Sequence, residues 1–382
     1  MEALPERGND ASAAESRPAA PSAGHASRGT ARSERRLANR EDAARGAGAG
    51  RVTIYDVAER AGVGIATVSR AMRPGGSVSE RTRGRVQAAI DELGFRPSHL
   101  GTSLASRRHA ANGIVFPDLS GPYFAEVILG YEETATRLGR SVLILSTEGR
   151  DDPVAAVRDL AARVDGLVLL GRTVPDDVVT QLARSGLPVA FIARPATDGV
   201  ATVRVDNAGG ARELAAHLLE RGFTAPRFLG DPDASPDVEE RWDALRATLA
   251  AGGVHLTLTR AGFSVASGHT AAHQVLGETA RPDVLVCAND EVALGAIDAA
   301  EELGLTVGRD VAVTGWDDIM AAQFSRPGLT TVRQPMRRLG AVAAELLDER
   351  LRDPSTPARS DVLPARLVVR PSTTSAPPGG KP

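Results

Sequence analysis

From residue 111 onward, short apolar runs alternate with segments of helical periodicity: GIVF, PYFAEVILGYEETATRLG, SVLILS, DPVAAVRDLAARV, GLVLL, PDDVVTQLARSG and PVAFI. A second series opens with ATVRV and DNAGGARELAAHLLERG. It continues through PRFLG, a helix around Val238 to Ala251, DVLVC, NDEVALGAIDAAEELG and VAVTG. LTTV, a helix from Met336 to Leu351 and a last strand, ARLVV, complete it. Strand and helix in strict alternation predict parallel sheets with helices on both faces. The length implies two such doubly wound units, and ligands of these sheets sit outside the carboxyl ends of the strands. A cleft between the two units is therefore expected.

The stretch before residue 111 has a different rhythm. Ile54, Val57, Ala58 and Ala61 recur at helical spacing, Gly62 suits a tight turn, and Val63, Val68, Ala71 and Met72 form the next apolar face. Ser79 is an N-cap for a third helix, whose apolar side is Val86, Ala89, Ile90 and Leu93 and whose end is Gly94. Three short helices sharing one small core leave Ile65, Ala66, Thr67, Ser69 and Arg70 on or near the outside of the second. Such a face suits either a solvated packing module or a helix-turn-helix. In the second case small side chains let the backbone enter a major groove, where Arg70 can fork onto a guanine edge.

Composition narrows the field. The 382 residues are 42% hydrophobic, enough for sizeable cores, but no apolar stretch approaches the roughly 20 residues of a membrane span. The first residues lack the apolar centre of a secretory signal, so a cytoplasmic location is expected. Cys287 is the only cysteine, which excludes an intrachain disulfide and a thiolate-rich metal site. The formal charge is −3, yet residues 51–108 carry ten Arg against five Asp and Glu. That +5 in one stretch leaves −8 for the rest, an asymmetry whose guanidiniums suit phosphate and equally a salt-bridged surface. Residues 1–50 and 371–382 are poor in large apolar side chains and are expected to be disordered.

VTIYDVAERAGVGIATVSRAM, VSERTRGRVQAAIDELGFRPS and the SLA of HLGTSLASRR together resemble the lactose-repressor (LacI/GalR) family of bacterial transcription factors. The resemblance continues through GIVFPDLSGPYFAEVILGYE, VDGLVLLGR, CANDEVALGAI, DVAVTGWDDI, LTTVRQP and LGAVAAELLDER, over roughly residues 51–370. Several ordered blocks are far more specific than any one of them. The resemblance implies two periplasmic-binding-protein-like subdomains behind a small all-α head. It places Ile65, Ala66 and Arg70 at base-reading positions, Thr67 and Ser69 near phosphates, and Leu104 as a wedge in the minor groove. Thr53, Tyr55, Ser98 and His99 complete the implied DNA-contacting set. Two departures stand out. Gly64 replaces the usual Ser cap, and Gly101 and Thr102 replace the usual Ala and Arg of the hinge.

The implied division is a head at 51–97, a hinge at 98–110 and a core at 111–370. Within the core, 111–203 with 334–354 form one subdomain, and 204–333 with 355–370 the other. The hinge helix, Ser98 to Arg107, has about ten residues, too few for stability alone in water, so its folding is expected to accompany DNA binding. A homodimer on a pseudo-palindromic operator follows from the resemblance. So does a small-molecule effector in the cleft, with Asp118, Tyr123, Phe124 and, more weakly, Arg194 from the first unit. Arg241, Asn289 and Asp317 come from the second, with Trp316 at the wall. Polar groups around an aromatic floor suit a sugar or a nucleobase.

No cofactor, metal or catalytic activity is expected. Asp290 with Glu291, and Asp317 with Asp318, are adjacent carboxylates at helix starts, which capping explains better than glycoside hydrolysis. His269 and His273 share a helix face, but without the HExxH base or a third ligand. Cys287 ends an apolar strand as a small core residue. The alternative is a solute-binding protein of the same clamp fold, which would carry a secretion signal and no DNA-binding head.

Overall fold

The computed structural model describes residues 52–73, 75–96, 109–197 and 199–374, and the chain divides into two compact units at residue 97. In the first unit, α1 is Ile54–Ala61, α2 is Ile65–Met72 and α3 is Glu80–Leu93. Thr53 opens α1 by donating its amide and hydroxyl hydrogens to the Asp56 carboxylate, at 2.7 and 2.8 Å. Gly62 ends it at φ 63°, where a side chain would be strained. The core is Val57, Val68 and Val86 with Ala58, Ala61, Ala71, Ala89 and Phe95. Arg83 of α3 donates to the carbonyls of Ala71, in the last turn of α2, and of Gly76, in the loop after it, at 2.7 and 2.8 Å, which ties both to α3.

In the second unit the chain runs β1 (Ala111–Phe116), α4 (Pro122–Arg137), β2 (Ser141–Ser146), α5 (Pro153–Ala161), β3 (Gly166–Leu170), α6 (Asp176–Arg184), β4 (Val189–Ile192) and β5 (Ala201–Val205). It continues through α7 (Asn207–Glu220), β6 (Pro226–Leu229), α8 (Pro236–Ala251), β7 (Thr257–Thr259), α9 (Val265–Leu276), β8 (Val284–Cys287), α10 (Asp290–Glu302) and β9 (Ala312–Asp317). Last come α11 (Met320–Phe324), β10 (Thr330–Arg333), α12 (Met336–Arg352), β11 (Ser360–Leu363), β12 (Arg366–Val368) and a 3-10 turn, Pro371–Thr373. One sheet has the order β11-β5-β4-β3-β1-β2 and the other β12-β10-β9-β8-β6-β7. Every pairing is parallel except β10 with β12. β3, β4 and β8 are buried along their whole length, which is why their sequences are unbroken apolar runs; β1 is equally buried but carries Asn112.

The helix α12 returns to the first sheet and packs on α4 through two glycines. A Cβ at Gly130 would collide with the Arg337 carbonyl, and one at Gly340 with the Val127 carbonyl, so the two backbones touch. Around this seam lies the largest apolar cluster, which includes Val127, Tyr131, Leu339, Ala343 and Leu347.

Three expectations change. ATVRV, read as the start of the second series, is β5 of the first sheet, paired with β4. Two strands missed in the sequence are β7, which pairs with β6, and β11, which pairs beside β5, so that part of 355–370 belongs to the first sheet rather than the second. The tail assigned to 371–382 begins too early, because Ser372 and Thr373 are wholly buried. Ser372 donates to the Val313 carbonyl at 2.6 Å and accepts from the Thr330 amide at 2.8 Å, while Thr373 bonds to the Thr330 and His217 side chains. Their burial is possible because each hydroxyl is paired.

Candidate functional site

Each unit presents one candidate surface. On α2, Val68 and Ala71 face the core while Ile65, Ala66 and Arg70 are exposed and Thr67 and Ser69 half-buried, the division expected of a reading helix. Gly64 caps the helix without a side chain; its carbonyl accepts from the amides of Thr67 and Val68 at 2.8 and 3.1 Å. Tyr55 is 67% exposed. Thr53 is exposed, and its hydroxyl is turned to Asp56 as part of the α1 cap. Ser98, His99 and Leu104 lie outside the described residues.

In the second unit a cavity of about 430 Å³ opens at the carboxyl ends of both sheets. Asp118 follows β1, Asn289 follows β8, Asp317 ends β9, and the first turns of α4, α8 and α10 bring Tyr123, Asp237 and Glu291. Tyr123 and Phe124 form the aromatic wall, with ring centroids 5.3 Å apart at 78°. Phe124 in turn rests edge-on against buried Phe116.

The opposite wall is polar and tightly held. Arg241 donates to Asn207 Oδ1 at 2.8 Å and to the Ala288 carbonyl at 2.9 Å, and its guanidinium lies 4.5 Å above the Trp316 ring. Asn289 caps α10 by accepting from the Val292 amide and donates to the Phe263 carbonyl, both at 2.9 Å. Gln334 donates to Asp317. Asp317 and Asp318 have φ 118° and 58°, values that side chains rarely adopt. The turn is held open by the Asp318 carboxylate, which accepts from Arg333 and Arg370, each at 2.6 Å. Buried Asp290 supports the same loop by accepting from the Ile319 amide and the Thr331 hydroxyl at 2.8 and 2.6 Å.

Burial pushes Asp317 up to about 7, opposed by Arg241 and Gln334 and reinforced by the charges of Glu291 and Asp237. Burial likewise raises Asp237 and Glu291, the latter with help from Asp118. At the cavity mouth, a hydrogen bond with Asp118 holds Glu148 above the usual range. For Asp118 itself, burial opposes ionisation, but donors from Ser120 and Leu119 together with Glu148 outweigh it and lower its value.

Six of the eight expected effector residues, Asp118, Tyr123, Phe124, Arg241, Asn289 and Asp317, meet around this one cavity. Two do not line it. Trp316 is buried behind Arg241 as its stacking platform. Arg194 turns away, over the Phe191 ring and onto the Val174 carbonyl and Asp176, where it braces the segment after β3. The sequence reading missed Asp237, Glu148, Glu291 and Gln334. Asp237 lies four residues before Arg241 on α8, a spacing that puts both on one helix face and could have revealed it. Elsewhere, His269 meets Glu302 at 3.0 Å and Asp298 at 4.0 Å, while His273 only stacks on His269. No helix among the described residues is long and apolar enough to cross a membrane.

Comparison with known proteins agrees with both units. Residues 53–98 match the family described as bacterial regulatory proteins, lacI family, and residues 215–373 match the periplasmic binding protein-like domain. Catabolite control protein A of Priestia megaterium is 30% identical over 329 residues, covering 84% of this chain and 99% of that protein. The lac repressor dimer bound to operator and the anti-inducer ONPF superposes with a TM-score of 0.76 at 29% identity, covering 85% of this chain and 99% of that one. The complex of the transcriptional regulator CelR with cellobiose superposes at 0.64 with 30% identity, covering 84% and 100%. The match of residues 53–98 to a family of regulatory proteins favours a regulator over a solute-binding protein of the same clamp fold. The chain belongs to the lacI family of bacterial regulatory proteins and is a DNA-binding transcriptional regulator with an effector-binding core.

Proposed function

We propose that the protein is a homodimeric repressor whose affinity for a pseudo-palindromic operator is set by a small molecule, a sugar or nucleobase-like metabolite, that it binds without transforming. The observation that carries this reading is the cavity, where an aromatic wall faces convergent polar groups in a chain that also carries a reading helix. One of its structural relatives is a complex with cellobiose, which supports the sugar class. Ile65, Ala66 and Arg70 read bases, Thr53, Tyr55, Thr67 and Ser69 meet the backbone, and Leu104 wedges into the minor groove beside Ser98 and His99. Asp118, Tyr123, Phe124, Arg241, Asn289 and Asp317 hold the ligand. Met320 and Phe324, both 74% exposed on α11, supply apolar surface that a second copy would cover.

Selection of palindromic duplexes from a random library by the full chain, followed by binding titration with and without sugars and nucleobases, tests this. Enrichment of an inverted repeat, bound as a dimer with an affinity that a ligand alters, is the expected result. Enrichment of no sequence removes the operator-reading proposal.

A further inference from the structure

We propose that the ligand of this cleft carries a protonated amine on a polyhydroxylated ring, so that its chemical class is the amino sugars; this rests on the effector reading above. Five carboxylates line the cavity, those of Asp118, Glu148, Asp237, Glu291 and Asp317, against two guanidiniums. Arg172 is engaged by Glu239 at 3.2 Å and by the Asp233 carbonyl at 3.3 Å, so its charge is already answered by a residue that does not line the cavity. Arg241 is the one cation serving the deep wall, 3.8 Å from Asp237 and flat against Trp316. Among the described residues no ion pair includes Asp118, Glu148, Glu291 or Asp317, and no hydrogen bond satisfies the Glu291 carboxylate.

The placement of Glu291 is the decisive feature. It sits in the first turn of α10, in the half of the cleft built on the second sheet, and its carboxylate lies against Gly121, just before α4, in the other half. An acceptor with no donor therefore reaches from one half of the cavity lining to the other, near enough to Asp118 and Asp317 to feel their charges. Asp237 and Asp317 are already buried, and a neutral ligand would take Asp118, Glu148 and Glu291 out of water beside them with one guanidinium on the deep wall, where unpaired buried charge is costly. Burial raises Asp237, Glu291 and Asp317, and the charges of Asp118 on Glu291 and of Glu291 and Asp237 on Asp317 add to it, while contact with Asp118 raises Glu148. An ammonium group offers three donors and a positive charge to carboxylates of this lining, beside the Tyr123 and Phe124 rings, whose faces also attract cations. The Gln334 Oε1, which has no hydrogen-bond partner among the described residues, remains for a hydroxyl group, and the aromatic wall for the apolar face of a ring.

Calorimetric titration of the full chain with D-glucosamine, D-galactosamine and D-mannosamine tests this against the neutral parent sugars, the N-acetyl derivatives and calcium chloride. At least one amine should bind about tenfold or more tighter than its neutral and N-acetyl counterparts. Glu291→Gln should reduce that preference while leaving the thermal midpoint without ligand no lower than that of the parent, and Asp237→Asn serves as a second variant. A neutral sugar that binds as tightly as its amine and alters operator affinity overturns the amine while keeping the effector reading. Failure of every amine to bind, binding of calcium alone, or an amine preference unchanged in both variants also overturns it.

Discussion

Arg70 is exposed in the last turn of α2, and no hydrogen bond or ion pair among the described residues holds its guanidinium. The neighbouring Ala71 carbonyl is clamped by Arg83, so the backbone that aims Arg70 is fixed while the side chain is available. Arg70→Ala should weaken a selected operator by about 1–3 kcal/mol, the loss of one bidentate base contact, and should weaken random DNA much less. Equal losses on the two duplexes in a fluorescence-anisotropy titration would remove its reading role. Asp317 makes a prediction about pH. Its value is raised to about 7 from 3.8 by burial, so the folded state binds a proton that the unfolded chain has released. The stability it contributes is complete below the unfolded value and is lost as pH rises through about 7. Unfolding midpoints should therefore fall between about pH 4 and pH 7, and Asp317→Asn should flatten that fall. An identical slope in the variant would show that other groups carry it.

At the scale of elements, the close seam between α4 and α12 depends on the missing side chains of Gly130 and Gly340. Gly340→Ala would drive a methyl group into the Val127 carbonyl, so the helices must part; overpacking of this kind costs about 1–3 kcal/mol. A lowered denaturation midpoint checks it, and an unchanged one would mean that the seam is loose. The same scale shows what a sequence can disclose. Fully buried strands such as GLVLL and VLVC are legible because both faces are covered and the apolar run is unbroken. The three helices of the first unit are legible from Gly62, Ser79 and Gly94, whose caps have a local cause. β11 is not, because it is an edge strand with exposed Ser360 and Val362 and its partner is far along the chain. Ser372 and Thr373 are likewise buried by distant hydrogen bonds that no local pattern shows. In the cleft, Asp118, Tyr123, Phe124, Arg241, Asn289 and Asp317 are legible, whereas Glu291 reads as a capping carboxylate and Trp316 as a wall. The core packing that hides Trp316 behind Arg241 is a tertiary property.

For the whole molecule, the contrast between the basic stretch 51–108 and the acidic remainder means that DNA contact should rest on the first unit and be strongly salt-dependent. The logarithm of the binding constant should fall linearly with the logarithm of salt concentration, with a slope of about −0.9 per phosphate contacted. A slope near zero would exclude a backbone-dominated interface. The measurement that bears most directly on the account is one titration of the full chain on a selected palindromic duplex and its scrambled counterpart, with and without a saturating sugar that binds the cleft. The expected result is a preference for the palindrome of about a thousandfold or more, and a change of about fivefold or more in that affinity when the sugar is present. Equal affinity for both duplexes, or an operator affinity indifferent to an occupied cleft, would contradict it.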